Sequence, residues 1–115
     1  MAGRISDYHF GSITVDGQTY KSDLIILPDA ILHSWWRKSG HKLLSEDLGK
    51  VVAAAPEVLV IGTGAFGLMR VPETTRVFLE DNGIEPVILK SKEAAARFNE
   101  LAKTRRAAGA FHLTC

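Results

Sequence analysis

The stretch VLVIGTGAFGLMRVPE, from Val58 to Glu73, decides the fold. It begins with a short run of apolar residues, which is typical of a strand buried on both faces of a parallel sheet. Gly62, Gly64 and Gly67 then match the letters of G-x-G-x-x-G, a pattern that holds the pyrophosphate of a dinucleotide when it opens a helix. The stretch therefore predicts a buried strand, a glycine loop and a following helix.

The context of these glycines argues against a dinucleotide site. The favoured start of the next helix is Pro72, five residues beyond Gly67, so the third glycine lies outside the helix. The next strand ends in Lys90 and Ser91 and supplies no acidic residue for a ribose. A chain of 115 residues also holds barely one half of a full dinucleotide domain. We therefore predict no cofactor.

The same loop suggests a smaller site. Ligands of α/β sheets bind outside the carboxyl ends of strands, and exposed backbone N–H groups near a helix N-terminus attract anions. The N–H groups of Thr63, Gly64 and Ala65, together with the Arg70 side chain, are the candidate ligands of a small anion. The alternative is that the glycines only allow a tight loop against the sheet.

Composition predicts an ordinary globular chain. It is 46% hydrophobic and 23% charged, and its length fits a single domain spanning residues 1–115. A net charge of +1 provides no overall field for nucleic acid or membranes. The lone Cys115 fits a reducing compartment, and the N-terminus lacks the apolar core of a secretory signal. We expect a bacterial-type soluble, cytoplasmic protein without nucleic-acid binding or membrane insertion.

Periodicity and turn residues predict the remaining elements. Asp16-Gly17 favours a β-hairpin between Phe10–Val15 and Gln18–Tyr20, whose second arm is expected to continue into Leu24–Leu27. The other predicted elements are a strand at Ala30–Trp36, a helix capped by Ser45 and ended by Pro56, a helix from Pro72 to Asn82, a strand at Pro86–Leu89, a helix capped by Ser91 and a final strand at Ala107–Leu113. Alternating strands and helices imply a largely parallel sheet.

The segment WWRKSGH, residues 35–41, is the densest cluster of residues suited to recognition. On a strand, Trp35 and Trp36 would point to opposite faces, so that one enters the core and the other lies near the surface beside Arg37. An aromatic ring with a cation suits a protein interface, and Arg37 and His41 also join the candidate anion ligands. The alternative is a core tryptophan with a solvated arginine.

No complete catalytic or metal-binding constellation is visible in the sequence. His112 and Cys115 are three residues apart on a predicted strand, which puts them on opposite faces. His9, His33 and His41 have no metal-ligand spacing. We therefore predict no catalytic residue and no metal ligand, and a binding protein in preference to an enzyme.

Several motifs, in order along the chain, carry a family resemblance: Asp16-Gly17, Trp36-Arg37, Gly40-His41, Glu46-Asp47-Leu48, LVIGTG at Leu59–Gly64, Asn99 with Leu101, and HLTC at His112–Cys115. The chain resembles, from about Tyr8 to Cys115, a family of small domains of unknown function found in bacteria, archaea and eukaryotes. Its eukaryotic relatives include a mitochondrial respiratory complex I assembly factor and an adipogenesis-associated domain protein.

The resemblance implies an α/β fold of three layers, with a central mixed five-stranded sheet, helices on its faces and an added N-terminal β-hairpin. It also implies that the last strand, Ala107–Leu113, lies inside the sheet and is antiparallel to the others. No activity is established for the family, so the resemblance implies no catalytic residue. It implies a shared surface of Trp36, Arg37 and His41 with the Gly62–Gly64 loop.

Three functions remain open at this point, the third of which is thiol chemistry at Cys115. The family's assembly factor favours a non-enzymatic binding or assembly domain with a protein partner. The alternative is a binder of a small anion or small molecule, or an unrecognised enzyme, that uses the glycine loop. The sequence predicts neither the identity of a partner nor an oligomeric state.

Overall fold

The computed structural model describes residues 4–115, which form two sheets and a set of short helices. The strands are β1 (Ile5–His9), β2 (Ser12–Val15), β3 (Gln18–Tyr20), β4 (Leu24–Ile26), β5 (Ile31–Leu32), β6 (Val58–Thr63), β7 (Glu85–Leu89) and β8 (Ala107–His112). A 3₁₀ helix at Ser45–Leu48 leads into α1 (Gly49–Ala54), and the later helices are α2 (Glu73–Asp81) and α3 (Ser91–Ala102).

The central sheet has the strand order β5-β4-β8-β6-β7, and β1, β2 and β3 form a separate antiparallel sheet. The last strand, β8, therefore lies inside the central sheet, as expected. The expectation that β8 is antiparallel to the other strands is wrong, because it is antiparallel to β4 but parallel to β6. The physical reason is the α3 crossover, which returns the chain to the starting end of the sheet and so makes the next strand parallel.

The central sheet carries an apolar core on each face. Successive side chains of β6 point to opposite faces. Val58 and Val60 pack beneath α3 and the three-stranded sheet, whereas Leu59 and Ile61 pack beneath α1 and α2. This arrangement confirms the predicted three-layer α/β fold with its mixed five-stranded sheet.

The ring of Phe111 packs directly against the backbone of β6 and β8. A Cβ atom placed on Gly62 would lie 2.7 Å from the Phe111 ring, and one placed on Gly109 would also lie 2.7 Å from it. The ring therefore covers two positions that have no side chain, one on each strand. Phe98 of α3 meets it edge-on, with ring centroids 6.4 Å apart.

The hairpin prediction is confirmed at its turn but not in its extent. Asp16 and Gly17 have φ values of 52° and 81°, and positive φ at both positions is what a type I′ turn requires. The second arm ends at Tyr20, and Leu24–Ile26 belongs to the other sheet. The predicted strand at Ala30–Trp36 is only two residues long, because Ser34 adopts a φ of 57° that interrupts an extended chain.

The predicted helix caps are also corrected. The 3₁₀ helix is preceded by Leu44, whose N–H donates to Asp47 Oδ2 at 2.9 Å, so Ser45 does not cap it. The residue before α3 is Lys90. Ser91 lies inside the helix because its hydroxyl has buried partners elsewhere. Helix α2 begins at Glu73, directly after Pro72, in agreement with the predicted start near Pro72-Glu73.

We expect Gly62→Ala to lower the free energy of unfolding by about 1–3 kcal/mol, because the new methyl group would push into Phe111 and Ser91. Urea denaturation measures this difference. Gly40→Ala is the matched control, since a Cβ there meets nothing within 4 Å. Equal stability of the two variants would contradict the close packing of Phe111.

Candidate functional site

Backbone groups at the end of β8 hold two loops at the carboxyl edge of the central sheet. The N–H of Gly11, in the β1–β2 turn, donates to the carbonyl of Leu113 at 2.9 Å. In the glycine loop, the N–H groups of Ala65 and Leu68 donate to the carbonyls of Thr114 and Cys115 at 2.6 and 3.0 Å. The HLTC motif therefore fixes the positions of both loops.

A buried polar cluster holds a third loop at the same edge. Asp23 Oδ2 accepts from Arg37 Nη1 and from His112 Nδ1, each at 2.7 Å, and Asp23 Oδ1 accepts the Leu113 N–H at 2.9 Å. Arg37 also donates to the carbonyl of Gly40 at 3.1 Å. Asp23 thus ties the end of β8 to residues 37–40.

The charge of Asp23 is stabilised by this cluster. Burial by itself raises the pKa of the Asp23 carboxyl group. The hydrogen bonds from His112, from the Leu113 N–H and from Arg37 together outweigh burial, so the pKa lies below its ordinary value. Asp23 is therefore a carboxylate in the folded protein, and it balances the charge of the buried Arg37.

The geometry also assigns the proton on His112. Arg37 Nη2 lies 3.2 Å from His112 Nδ1, but a guanidinium has no acceptor, and the Asp23 contact is shorter. We assign the proton to Nδ1, which donates to Asp23. Nε2 of His112 and Nε of Arg37 are then buried without a hydrogen-bond partner. The Arg37 guanidinium lies 4.9 Å from the centre of the Trp35 ring, which stabilises its charge.

Ser91 joins the glycine loop to the same end of β8. Its fully buried hydroxyl donates to the carbonyl of His112 at 2.6 Å and accepts the N–H of Gly64 at 2.9 Å. Gly64 has a φ of +104°, and a Cβ there would lie 2.4 Å from the Cys115 carbonyl carbon. Only glycine fits this position without strain.

The structure brings some of the candidate anion ligands together. Gly64 lies against the ring of His112, which contacts Arg37, so the glycine loop and Arg37 meet through a residue that was not among the candidates. The N–H groups of Gly64 and Ala65 already donate within the chain, and the hydroxyl of Thr63 donates to the carbonyl of Leu89.

The remaining two candidates lie on two different segments that are hydrogen-bonded to each other. Arg70 and His41 are both exposed, and the Arg70 N–H donates to the His41 carbonyl at 2.8 Å. Their side chains do not take part in the buried cluster around Asp23. A small-anion site at the glycine loop stays a prediction.

The sequence contains no signal for the role of Asp23, and it indicates only a helix cap for Ser91. Asp23 precedes a short apolar strand and is 89 residues away from His112 in the chain, so no local spacing connects them. Ser91 does stand at a helix start, which is the usual signal of a cap. Its partners are Gly64 in the glycine loop and His112 at the end of β8, and only folding brings them to Ser91.

Exposed apolar side chains surround this edge of the sheet. Phe10, Phe66 and Leu68 are 58%, 65% and 53% exposed, and the Phe10 and Phe66 ring centroids are 6.1 Å apart. Trp36 is 78% exposed and directly precedes Arg37, which reaches the end of β8. We call these four residues the carboxyl-edge surface. One tryptophan was predicted to enter the core and the other to lie near the surface. This prediction holds in part, because Trp35 is half-buried and Trp36 is exposed.

Two kinds of feature are absent from residues 4–115. No group of three or more His, Cys, Asp or Glu side chains there is arranged to hold a metal ion. None of the helices in this range has the length and apolar character needed to cross a membrane.

We expect Asp23→Asn to lower the free energy of unfolding at pH 7 by about 3 kcal/mol, because it leaves Arg37 buried without its counter-ion. The lowered pKa of Asp23 stabilises the fold above the unfolded value of about 4, and this stability is lost as the pH falls through the folded value. The variant should therefore lose less stability than the wild type below about pH 4.

Urea denaturation of both proteins from neutral to acid pH measures the two effects. Asp81→Asn is the control, since Asp81 is exposed at the end of α2 and should change stability by no more than about 0.5 kcal/mol. Parallel stability curves for wild type and Asp23→Asn across the acid range would contradict the assigned charge.

Solved structures with the same fold cover nearly the whole chain. A conserved hypothetical protein, PH1505, from Pyrococcus horikoshii OT3 is 28% identical, with a TM-score of 0.82 over 97% of this chain and 99% of that one. A protein called MT938 is 29% identical, with a TM-score of 0.81 over 98% and 99% of the two chains. A protein described as an outer membrane protein from Bartonella henselae is 28% identical, with a TM-score of 0.84 over 98% and 96%.

A family match agrees with these structures and with the motifs of the sequence. The model of the family described as Protein of unknown function (DUF498/DUF598) matches residues 5–112. That span includes the hairpin turn, the Trp36-Arg37 pair, the LVIGTG strand and His112. The chain therefore belongs to this family of small domains of unknown function.

Proposed function

We propose that this chain is a non-enzymatic binding domain of the assembly-factor type, and that its protein partner contacts the carboxyl-edge surface. The observation that carries the proposal is the clustering of exposed apolar side chains. Residues 4–115 have five large exposed apolar side chains, and four of them lie on segments tied to the end of β8. Phe10 and Phe66 contact each other, Leu68 follows Phe66 in the same loop, and Trp36 precedes Arg37, which Asp23 joins to His112. Such patches are typical of protein interaction sites.

The composition of the surface supports a protein partner. Aromatic side chains are enriched at the centres of protein interfaces, where they bury large areas and dominate the binding energy. Three of the four residues of the carboxyl-edge surface are aromatic. The resemblance to a family with a respiratory-complex assembly factor supports the same class of function.

The way in which the loops are held also supports binding. Phe10 and Leu68 lie on backbone segments that are hydrogen-bonded to residues 113–115, and Trp36 adjoins the buried Arg37. A surface whose backbone is already fixed loses little conformational entropy when a partner binds. The carboxyl-edge surface is therefore preorganised.

The alternative functions have weaker support. His112 and Asp23 resemble the base and the orienting carboxylate of a catalytic triad, but Nε2 of His112 is buried and so does not face a substrate. An anion at the glycine loop would have to compete for the N–H groups of Gly64 and Ala65, which already have partners. Both facts favour binding of a protein.

We expect the double variant Trp36→Ser and Phe66→Ser to lose its cellular partners, with recovery reduced at least tenfold, because truncation of interface aromatics removes about 2 kcal/mol or more each. Affinity purification from the native cells, with quantitative mass spectrometry, measures recovery. Both side chains are exposed, so the melting temperature should change little.

Val77→Ser is the matched control, because Val77 is an exposed apolar residue on α2, outside the carboxyl-edge surface. It should recover the same partners as the wild type. Recovery of identical partners by the double variant, or of no specific partner by the wild type, would sink the proposal.

A further inference from the structure

Three cations beside the carboxyl-edge surface have no ion-pair partner. Lys42, Arg70 and Lys90 are exposed, and none makes a salt bridge to another residue within the described range 4–115. Unpaired cations are ordinary on a protein surface when they stand alone. Here three of them lie around one apolar patch, at one edge of the sheet.

Contacts place these cations next to the apolar side chains. Gly67 lies between Phe66 and Leu68, and a Cβ placed on it would be 3.4 Å from the side chain of Lys90. Arg70 follows Leu68 by two residues, and its backbone forms a bridge with Lys42. Lys90 therefore lies beside Gly67 in the apolar loop, and Arg70 and its bridge partner Lys42 lie just after Leu68.

The carboxylates at this edge do not neutralise the three cations. Asp23 is bound to Arg37 and His112, and Asp7 lies 2.9 Å from Nε2 of His9. Glu73 and Glu93 lie in the first turns of α2 and α3, where the helix dipole stabilises their charge. Neither is within ion-pair distance of the cations.

The opposite edge of the sheet is different. Arg105, just before β8, donates to Glu85 at 2.9 Å and to Glu57 at 3.4 Å. Arg106 lies 3.9 Å from Asp29. Arg105 and Arg106 at the amino edge are therefore paired within the chain, whereas the three cations beside the carboxyl-edge surface make no ion pair within the described residues.

We infer that the partner binds through an acidic amphipathic peptide segment, a conclusion that rests on the proposed function. Apolar side chains of the segment cover Phe10, Phe66 and Leu68, and its carboxylates pair with the three flanking cations. Complementary charge around an apolar centre raises the association rate and excludes segments of the wrong charge.

The number of cations favours a peptide over other anionic partners. Proteins that bind nucleic acid through its backbone commonly neutralise about 6–10 phosphates, and lipid-binding clusters hold about 4–8 basic residues. Three cations around an apolar patch are fewer than either. The net charge of the whole chain is only +1, which provides no wider field for a polyanion.

The decisive variant reverses the three charges: Lys42→Glu, Arg70→Glu and Lys90→Glu together. We expect its affinity for a synthetic acidic peptide of about twelve residues, with glutamates alternating with phenylalanine and leucine, to fall at least tenfold. Fluorescence anisotropy at low salt measures the affinity. The wild-type affinity should also fall as salt is added, because exposed ion pairs are screened.

The control variant carries the same change in net charge elsewhere. Lys50→Glu, Arg97→Glu and Lys103→Glu alter exposed cations of other surfaces that make no ion pair within the described residues. This protein should bind the peptide nearly as well as the wild type. An equal loss in the control would show that only net charge matters and would overturn the inference.

Further probes separate the two proposals. A peptide with lysine in place of glutamate should bind at least tenfold more weakly than the acidic peptide. If the lysine peptide binds equally well and Phe66→Ser abolishes the binding of both peptides, the apolar binding surface stands and the acidic partner is wrong.

If Phe66→Ser and the charge reversal leave peptide binding unchanged, both proposals fail. Tighter binding to a single-stranded RNA or to phosphatidylserine vesicles than to the acidic peptide, or no binding to any probe, would also overturn the inference.

Discussion

The end of β8 is held from both sides by buried polar groups, and the rest of this edge depends on that constraint. On the β6 side, the hydroxyl of Ser91 joins the His112 carbonyl to the Gly64 N–H. On the β4 side, the Asp23 carboxylate binds His112 and the Leu113 N–H. Without these bonds, buried polar groups would lose their partners at a cost of about 1–3 kcal/mol each. The strand can therefore end in only one position.

That fixed end explains how distant parts of the chain form one surface. The β1–β2 turn, the WWRKSGH segment and the glycine loop are far apart in sequence. The first and the last are hydrogen-bonded to residues 113–115, and Asp23 joins Arg37 of the WWRKSGH segment to His112. The apolar side chains on these segments are exposed, while backbone groups beside them are hydrogen-bonded within the chain. The HLTC segment of this chain thus has a structural role, and the unpaired cations around the loop give this surface a charge as well as a shape.

Much of the fold could be predicted from local sequence patterns, because each pattern depends on the conformational preferences of only a few adjacent residues. Asp16-Gly17 dictates a tight turn, and the apolar run before Gly62 dictates a buried strand. The errors came where a distant contact overrode a local preference. Ser91 is a good capping residue, but its hydroxyl binds the glycine loop and the end of β8 instead. The glycines likewise match the letters of the dinucleotide-binding pattern. However, the N–H groups of Gly64 and Ala65 donate to Ser91 and Thr114 within the chain.

The sequence by itself determined the α/β alternation, the hairpin turn, the glycine loop and the candidates Trp36 and Arg37, because each depends on the conformational preferences or chemistry of adjacent residues. Only the tertiary structure decided that Asp23 is the partner of Arg37 and His112, and that β8 is parallel to β6. It also decided that Phe10 and Phe66 share one face. These facts depend on the order of strands in the sheet, which brings together groups that no local spacing relates.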